Sequence, residues 1–231
     1  RASTGRLLPA VGEYWSGDVR ELEGYLERVP NVMLFDVPLH YHLHDASISD
    51  GNVDLSRLWE NTLTASHPDQ SVTFVENHDT QPGQSLASTV APWFKAAAYA
   101  VILFHEAGVP CVFWGDLLSS PDSDDLPAVR ELPILMGIRA RAAVGEQHNA
   151  FDDADVVGFA REGKEEIPGS GCAVILSDRM AADKTLYVGT RHAGEEWECV
   201  IGGHPSVRVA DDGTLTGTVS DGGLSVYAPR A

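Results

Sequence analysis

Short, continuous apolar runs alternate with helix-like segments over the first two-thirds of this chain, and this rhythm most constrains its fold. A run in which every residue is apolar is typical of a strand that is buried on both faces. Four such strands are predicted, at residues 7–12, 32–35, 71–75 and 109–114, of which the third is apolar except for Ser71 and Thr73. Their alternation with helices predicts parallel strands joined by right-handed crossovers, so this part of the chain is expected to be α/β.

A helix is predicted after each apolar run, and the connections on its two sides differ in length. Asp18 and Asp54 are placed to cap the first two helices, and the fourth is predicted over residues 126–144. Long polar loops are expected after the second and third runs, at residues 36–51 and 77–91. The loops after the helices are short, an asymmetry that marks the catalytic face of a (β/α) barrel. Four units make either half of such a barrel or an open doubly wound sheet.

The pattern changes at residue 147, where helix signals stop. Gly, Asp and Asn clusters then separate short apolar strands, the pattern of a small antiparallel β-sandwich. The six predicted strands lie at residues 156–160, 172–176, 186–188, 197–201, 207–210 and 224–227. We therefore divide the chain into an α/β part, residues 1–146, and an all-β part, residues 147–231.

The net charge and the composition of the chain limit the classes of partner that it can bind. The formal net charge is −18, from 16 Lys and Arg against 34 Asp and Glu. So acidic a surface repels phosphate backbones and anionic lipids, which predicts no nucleic acid and no membrane partner. The first ten residues lack the apolar core of a signal peptide, and the three cysteines have no CxxC spacing. These features predict a cytoplasmic protein without disulfides or structural zinc.

Two carboxylates follow predicted strands in the same way. Glu13 comes directly after the first apolar run and Asp79 follows the third, with Trp15 and His78 beside them. Packing explains such acids poorly, because burying an unpaired charge is costly, although each could instead cap a turn. An indole can stack on a sugar ring, an acid can protonate a glycosidic oxygen, and a carboxylate can stabilise an oxocarbenium-like transition state. The set predicts glycoside hydrolysis.

Five motifs around these residues carry a more specific resemblance. In chain order they are AVGEYW (10–15), FDVPLHY (35–41), FVENHD (74–79), NHDTQPGQSL (77–86) and WFK (93–95). Together they resemble the α-amylase family of glycoside hydrolases, most closely its liquefying bacterial and intracellular fungal members. The first motif is similar to that family's strand-five motif and the third to its strand-seven motif. The resemblance implies the C-terminal half of a (β/α)8 TIM barrel, strands five to eight, followed by a β-sandwich domain.

The resemblance also implies a role for each matching residue. Glu13 would be the general acid/base, with a pKa raised to hold a proton near neutrality. Asp79 would be the carboxylate that steadies the transition state. His78 and Asn77 would contact the sugar at the cleavage site, and Trp15 would help to form a subsite on the leaving-group side. The implied reaction is retaining endohydrolysis of α-1,4-glucosidic bonds in starch- or glycogen-type glucans.

The sequence departs from the family at the nucleophile. That residue is an Asp at the end of strand four, in the motif Arg-x-Asp-x-x-Lys-His, whereas the first Asp here is Asp18. The strand-one and strand-three motifs, with most of the main calcium ligands, are also missing. We therefore interpret the chain as a C-terminal half whose partner is the N-terminal half of the barrel. Calcium is expected for the full-length protein, and no activity is expected for this chain alone.

A second calcium position lies between barrel and sandwich in the relatives. Gly51, His148 and Asp178 fall where its ligands are expected, and they are our calcium candidates in this chain. Val53 and Asn149 stand where the relatives have Tyr and Asp, although a backbone carbonyl and an amide oxygen could still bind the ion.

Two alternatives to the enzyme remain open at the level of sequence. The first is a non-catalytic glucan-binding or interaction module that keeps Trp15 and His78. The second is a metal-dependent hydrolase built on His40, His42 and His44, which strand periodicity would place on one face. A solvated loop is the simpler explanation of these histidines.

Overall fold

A four-stranded parallel sheet forms the first part of the chain. The computed structural model describes residues 10–118 and 127–230, so positions 7–9 of the first predicted strand lie outside the described residues. The strands are β1 (Ala10–Gly12), β2 (Val32–Phe35), β3 (Ser71–Phe74) and β4 (Val109–Cys111), paired in that order. All three pairings are parallel, as the alternation predicts.

Six helices accompany this sheet, and one of them replaces a predicted loop. They are α1 (Val19–Arg28), α2 (Val37–Ile48), α3 (Leu63–Ser66), α4 (Pro92–Phe104), α5 (Trp114–Leu118) and α6 (Leu132–Arg141). The loop prediction for residues 36–51 is therefore wrong over α2. Buried Leu39, Leu43 and Ala46 recur at helical spacing there, among polar residues that disguise the pattern. Asp54, by contrast, caps only a single 3₁₀ turn at Leu55–Arg57.

The first antiparallel strand begins at Gln147. Its strands are β5 (Gln147–Ala150), β6 (Val156–Arg161), β7 (Cys172–Ser177), β8 (Ala182–Tyr187), β9 (Glu196–Ile201), β10 (Val207–Arg208), β11 (Thr214–Val219) and β12 (Leu224–Pro229). Six of them form one sheet in the order β10-β9-β12-β7-β6-β5, and β11 pairs with β8 in a second. The sequence analysis missed β5 and β11, whose alternating polar residues lack a continuous apolar run.

The six-stranded sheet is buried on both faces, which explains its long apolar strands. On one face Ala173 and Ile175 of β7 pack with Leu186 and Leu215 of the two-stranded sheet. On the other face, Val174 and its neighbours join a core that includes helices α4 and α6. Successive side chains of a strand point to opposite faces, so β7 contributes to both cores. Because one core crosses residue 147, the division into two domains stays a prediction.

We expect the chain to self-associate through the edges of its parallel sheet. β1 and β4 are its outer strands within the described residues, and Val11 and Val109 on them are each 52% exposed. Unpaired strand edges with exposed apolar side chains favour pairing with another chain, although Pro110 removes one donor from β4.

Light scattering over a concentration series measures this association. Val11→Lys should reduce it, because a charged edge strand resists pairing. Val29→Lys is the matched control, since Val29 is also exposed but follows helix α1. A native chain that stays monomeric at every concentration would contradict the expectation.

Candidate functional site

The turn after β3 holds three of the predicted site residues, Asn77, His78 and Asp79. Asn77 accepts hydrogen bonds through Oδ1 from the backbone N–H groups of Asp79, at 2.8 Å, and Thr80, at 3.0 Å. This turn directs His78 outward, where its side chain is 77% exposed, and places His78 Nε2 3.5 Å from Asp79 Oδ2. Asn77 thus shapes the turn, and its amide oxygen is already engaged. Its predicted contact with the sugar stays a prediction.

Glu13 and Trp15 follow β1 at the same edge of the sheet. Glu13 is exposed directly after the strand, and Trp15 turns inward. The Trp15 ring lies 5.9 Å from the ring of Phe74, the last residue of β3, and its Nε1 donates to Tyr41 Oη at 2.9 Å. Trp15 therefore joins the loop after β1 to the end of β3. Its predicted role as a sugar subsite stays a prediction, since part of the indole is covered.

The two candidate carboxylates share one edge because all the strands are parallel. β2 lies between β1 and β3, so their carboxyl ends are separated by two strand spacings, about 10 Å. Glu13 and Asp79 both follow these ends. The sheet thus places an exposed acid, a half-buried acid and an exposed imidazole at the same edge.

A buried carboxylate that the sequence analysis missed holds the turn after β3. Glu76 is 1% exposed and accepts hydrogen bonds from Val90 N at 2.7 Å and from Gln81 Nε2 at 3.2 Å. It also accepts one from the hydroxyl of Thr80. Its two oxygens therefore bind both ends of the loop that carries Asp79.

Lys95 lies between Glu76 and a second buried acid. Lys95 Nζ is 3.5 Å from Glu76 Oε1 and 2.5 Å from Asp116 Oδ1, and Tyr99 Oη donates to Asp116 Oδ2 at 2.6 Å. Burial raises the pKa of Glu76 to about 7, against the opposing charge of Lys95. Lys95 is the single cation beside the apolar segment AAAYAVILF. Because a buried lysine requires a partner, this pattern was the signal in the sequence for a buried ion pair.

The three alternating histidines do not form a metal site. They lie on helix α2, so strand periodicity does not apply, and the hypothesis of a metal-dependent hydrolase is wrong in this respect. His40 is buried, with Nδ1 2.8 Å from the carbonyl oxygen of Val75 and Nε2 2.8 Å from Ser88 Oγ. His42 and His44 each place Nδ1 near a backbone carbonyl oxygen. The histidines tie α2 to neighbouring loops.

The structure separates the predicted calcium ligands. His148 pairs with Ala160 on β6, whereas Asp178 follows Ser177, which pairs with Val156. Four residues of strand, about 13 Å, lie between these two positions. His148 Nε2 instead lies 3.2 Å from Glu162 Oε2. A calcium site made of Gly51, His148 and Asp178 stays a prediction.

Gly51 is close to Arg179, the residue that follows Asp178 in the chain. Arg179 Nη1 donates to the carbonyl oxygen of Gly51 at 3.3 Å. Asp178 is 7% exposed, and neither carboxylate oxygen has a hydrogen-bond partner within the described part of the chain. Burial raises the pKa of Asp178 to about 6, and the charge of Asp155 adds to the rise.

Known proteins match the whole chain by sequence. It is 42% identical over 235 residues to an α-amylase of Bacillus licheniformis and 42% identical over 233 residues to an α-amylase of Geobacillus stearothermophilus. These matches cover 100% of this chain but only 46% and 42% of the relatives. A cytoplasmic α-amylase of Escherichia coli is 37% identical over 229 residues, covering 94% of this chain and 46% of that protein. No family model matches the chain.

This chain corresponds to the C-terminal part of α-amylases. It spans less than half the length of the curated relatives just described.

Solved α-amylase structures share the fold. The enzyme of Malbranchea cinnamomea superposes with a TM-score of 0.68 at 19% identity, covering 96% of this chain and 50% of that one. An α-amylase of Geobacillus thermoleovorans, complexed with acarbose, gives 0.63 at 18% identity, covering 96% and 53%. Among the described residues, no helix is long and apolar enough to cross a membrane.

The raised pKa of Glu76 predicts a pH-dependent contribution to stability. The folded chain retains the Glu76 proton between pH 4.5, the ordinary value, and about 7, whereas the unfolded chain loses it. The free energy of unfolding that Glu76 contributes therefore falls as pH rises through this window. Glu76→Gln should remove the decline, which at most approaches about 1.4 kcal/mol per pH unit.

Urea unfolding of the native chain and the variant across this pH window measures the effect. The difference between the two free energies of unfolding contains the contribution of Glu76. The contributions of His40 and Asp178, whose pKa values are also shifted, cancel in it. Exposed Glu27→Gln is the control and should leave the profile unchanged. Parallel profiles for the native chain and Glu76→Gln would contradict the assignment.

Proposed function

We propose that this chain is the C-terminal half of a retaining α-amylase-type glycoside hydrolase, which cleaves α-1,4-glucosidic bonds in starch- or glycogen-type glucans. The observation that carries the proposal is the position of Glu13 and Asp79, both after carboxyl ends of one parallel sheet. The similarity of the whole chain to α-amylases supports the substrate class. So do solved relatives complexed with acarbose and maltose.

The proposed mechanism divides the chemistry between the two acids. Glu13 donates a proton to the glycosidic oxygen as the bond to the leaving group breaks. The nucleophile, which the other half supplies, attacks the anomeric carbon, and Glu13 then takes a proton from the incoming water. Asp79, with His78 beside it, stabilises the positive charge that develops on the sugar ring. The turn built by Asn77 and Glu76 keeps Asp79 in place.

We also propose that the parallel sheet is half of a (β/α)8 barrel, completed by an N-terminal half. Its strand order, β1-β2-β3-β4, follows the chain without reversal. A doubly wound sheet would instead reverse its strand order at a switch point. The exposed outer strands β1 and β4 are suited to pairing with the missing strands.

The proposal extends to cofactor and location. Calcium would serve the full-length protein, held mainly by ligands outside this sequence. A cytoplasmic location is proposed because the matching α-amylase of E. coli is described as cytoplasmic.

Residues 1–231 alone should not hydrolyse starch. A retaining double displacement requires a nucleophile opposite the acid, and this chain has no Asp in the expected strand-four motif. Release of reducing sugar from soluble starch measures the activity. Hydrolysis by the isolated chain at the rate of a complete α-amylase would refute this expectation.

In a complete protein that contains this chain, Glu13→Gln should lower turnover by about 10²–10⁴-fold, because the amide cannot transfer a proton. Binding of maltohexaose should persist, since Gln keeps the shape of Glu. Glu21→Gln on helix α1 is the matched control and should retain full activity, because Glu21 lies away from the strand ends. Unchanged turnover in Glu13→Gln would show that Glu13 is not the acid.

A non-catalytic glucan-binding module is the second candidate, and the exposed His78 beside Asp79 favours it. Calorimetric titration of maltohexaose into residues 1–231, compared with His78→Ala, separates the candidates. Micromolar binding that depends on His78, in a complete protein without hydrolysis, supports the module. Hydrolysis by the complete protein that disappears in Glu13→Gln supports the enzyme.

A further inference from the structure

Three side chains of metal-binding type meet where strands β5 and β6 pair. Glu146 directly precedes β5 and Glu162 directly follows β6, beside the pair of Gln147 with Arg161. The backbone N–H of Glu162 donates to the carbonyl oxygen of Glu146 at 2.9 Å. Because side chains two residues apart on a strand point to the same face, His148 lies on the face of Glu146. One ligand atom from each of Glu146, His148 and Glu162 lies within 4.8 Å of the other two.

The spacing of these atoms suits a single ion. Two ligands of a tetrahedral zinc ion lie about 3.4 Å apart, because each is about 2.1 Å from the metal. His148 Nε2 and Glu162 Oε2 are already 3.2 Å apart. Glu146 is exposed, so its side chain can rotate toward the other two without disturbing the core. The side chains of His148 and Glu162 are 24% and 27% exposed, which leaves an ion a path from solvent.

Packing holds two of the three side chains in place. Gly189 has a φ of +102°, and a Cβ placed on it would lie 2.5 Å from both Cγ and Oε1 of Glu162. The Glu162 side chain therefore rests on the backbone of a glycine. The ring of His148 packs edge-on against Tyr187, with the ring centroids 4.8 Å apart and the planes at 83°. Support of this kind behind the ligands fixes the geometry of a metal site before the ion binds.

Among the described residues, no lysine or arginine forms an ion pair with Glu146 or Glu162. Glu162 is paired there with His148. Lys164 and Arg191 line the same cavity as Glu162 without pairing with it. Two carboxylates close to one another repel each other, and a divalent cation between them removes this repulsion. The charge of both acids is therefore available to a bound ion.

We propose that Glu146, His148 and Glu162 bind one divalent transition-metal ion of the zinc class, with water as the fourth ligand. An imidazole nitrogen suits zinc, copper or nickel, whereas calcium and magnesium prefer sites made of oxygen ligands. A zinc ion held by three protein side chains keeps its fourth position open to water. The site uses no cysteine, so the spacing of the cysteines gave no sign of it. This inference is independent of the proposed glycosidase activity and shares only His148 with the calcium candidates.

Calorimetric titration of zinc chloride into residues 1–231, freed of metal with a chelator and then dialysed, tests the site. The native chain should bind one equivalent. Glu146→Gln should weaken this binding at least about tenfold, since even groups behind a ligand typically contribute that much. Because Glu146 is exposed, this variant should keep the fold, which a thermal melt without zinc verifies. His148→Ala should weaken the binding at least as much.

His204→Ala is the matched control, because it removes another histidine of the antiparallel part, one that lies beside Ser220. It should leave the stoichiometry and the affinity for zinc unchanged. An equal concentration of calcium should not displace the zinc. A native chain that binds no zinc at micromolar concentrations would overturn the proposal. So would binding that either Glu146→Gln or His148→Ala leaves intact, because ligands elsewhere in the chain would then hold the ion.

Discussion

The ion pairs of Lys95 with Glu76 and Asp116 determine how the candidate site can be arranged. Glu76 holds both ends of the loop that carries Asp79, and Asp116 lies on helix α5, which follows β4. Removing one partner from such a buried network typically costs about 3–5 kcal/mol, because an uncompensated charge remains. The network thus makes the loop after β3 part of the core, although the side chains at its tip face solvent.

This arrangement separates two requirements that a catalytic loop has to meet. Exposed loops move freely, whereas a transition-state stabiliser has to stay within a fraction of an ångström of its position. Here Glu76 accepts a hydrogen bond from the backbone of the loop at Val90, and Asn77 Oδ1 accepts one from the backbone N–H of Asp79 inside the turn. His78 and Asp79 can then remain accessible without being mobile.

The sequence supported the prediction of the parallel strands and the positions of Glu13 and Asp79, because apolar runs and the residues that follow them are local signals. It did not support the prediction of helix α2, since its buried His40 is satisfied by Val75 and Ser88, both distant in the chain. The same limit applies to the calcium candidates, which stay a prediction. Strand register, which separates His148 from Asp178, depends on pairing that no local pattern specifies.

The burial of the six-stranded sheet on both faces also explains why Arg179 matters to the parallel part. Val174 and Leu176 of β7 pack on the core that contains α4, so β7 and the loop after it are held against the first part of the chain. Asp178 and Arg179 directly follow this strand and therefore meet Gly51 at a fixed distance. The hydrogen bond from Arg179 to Gly51 therefore joins the loop after β7 to the end of helix α2, whose Tyr41 in turn contacts Trp15.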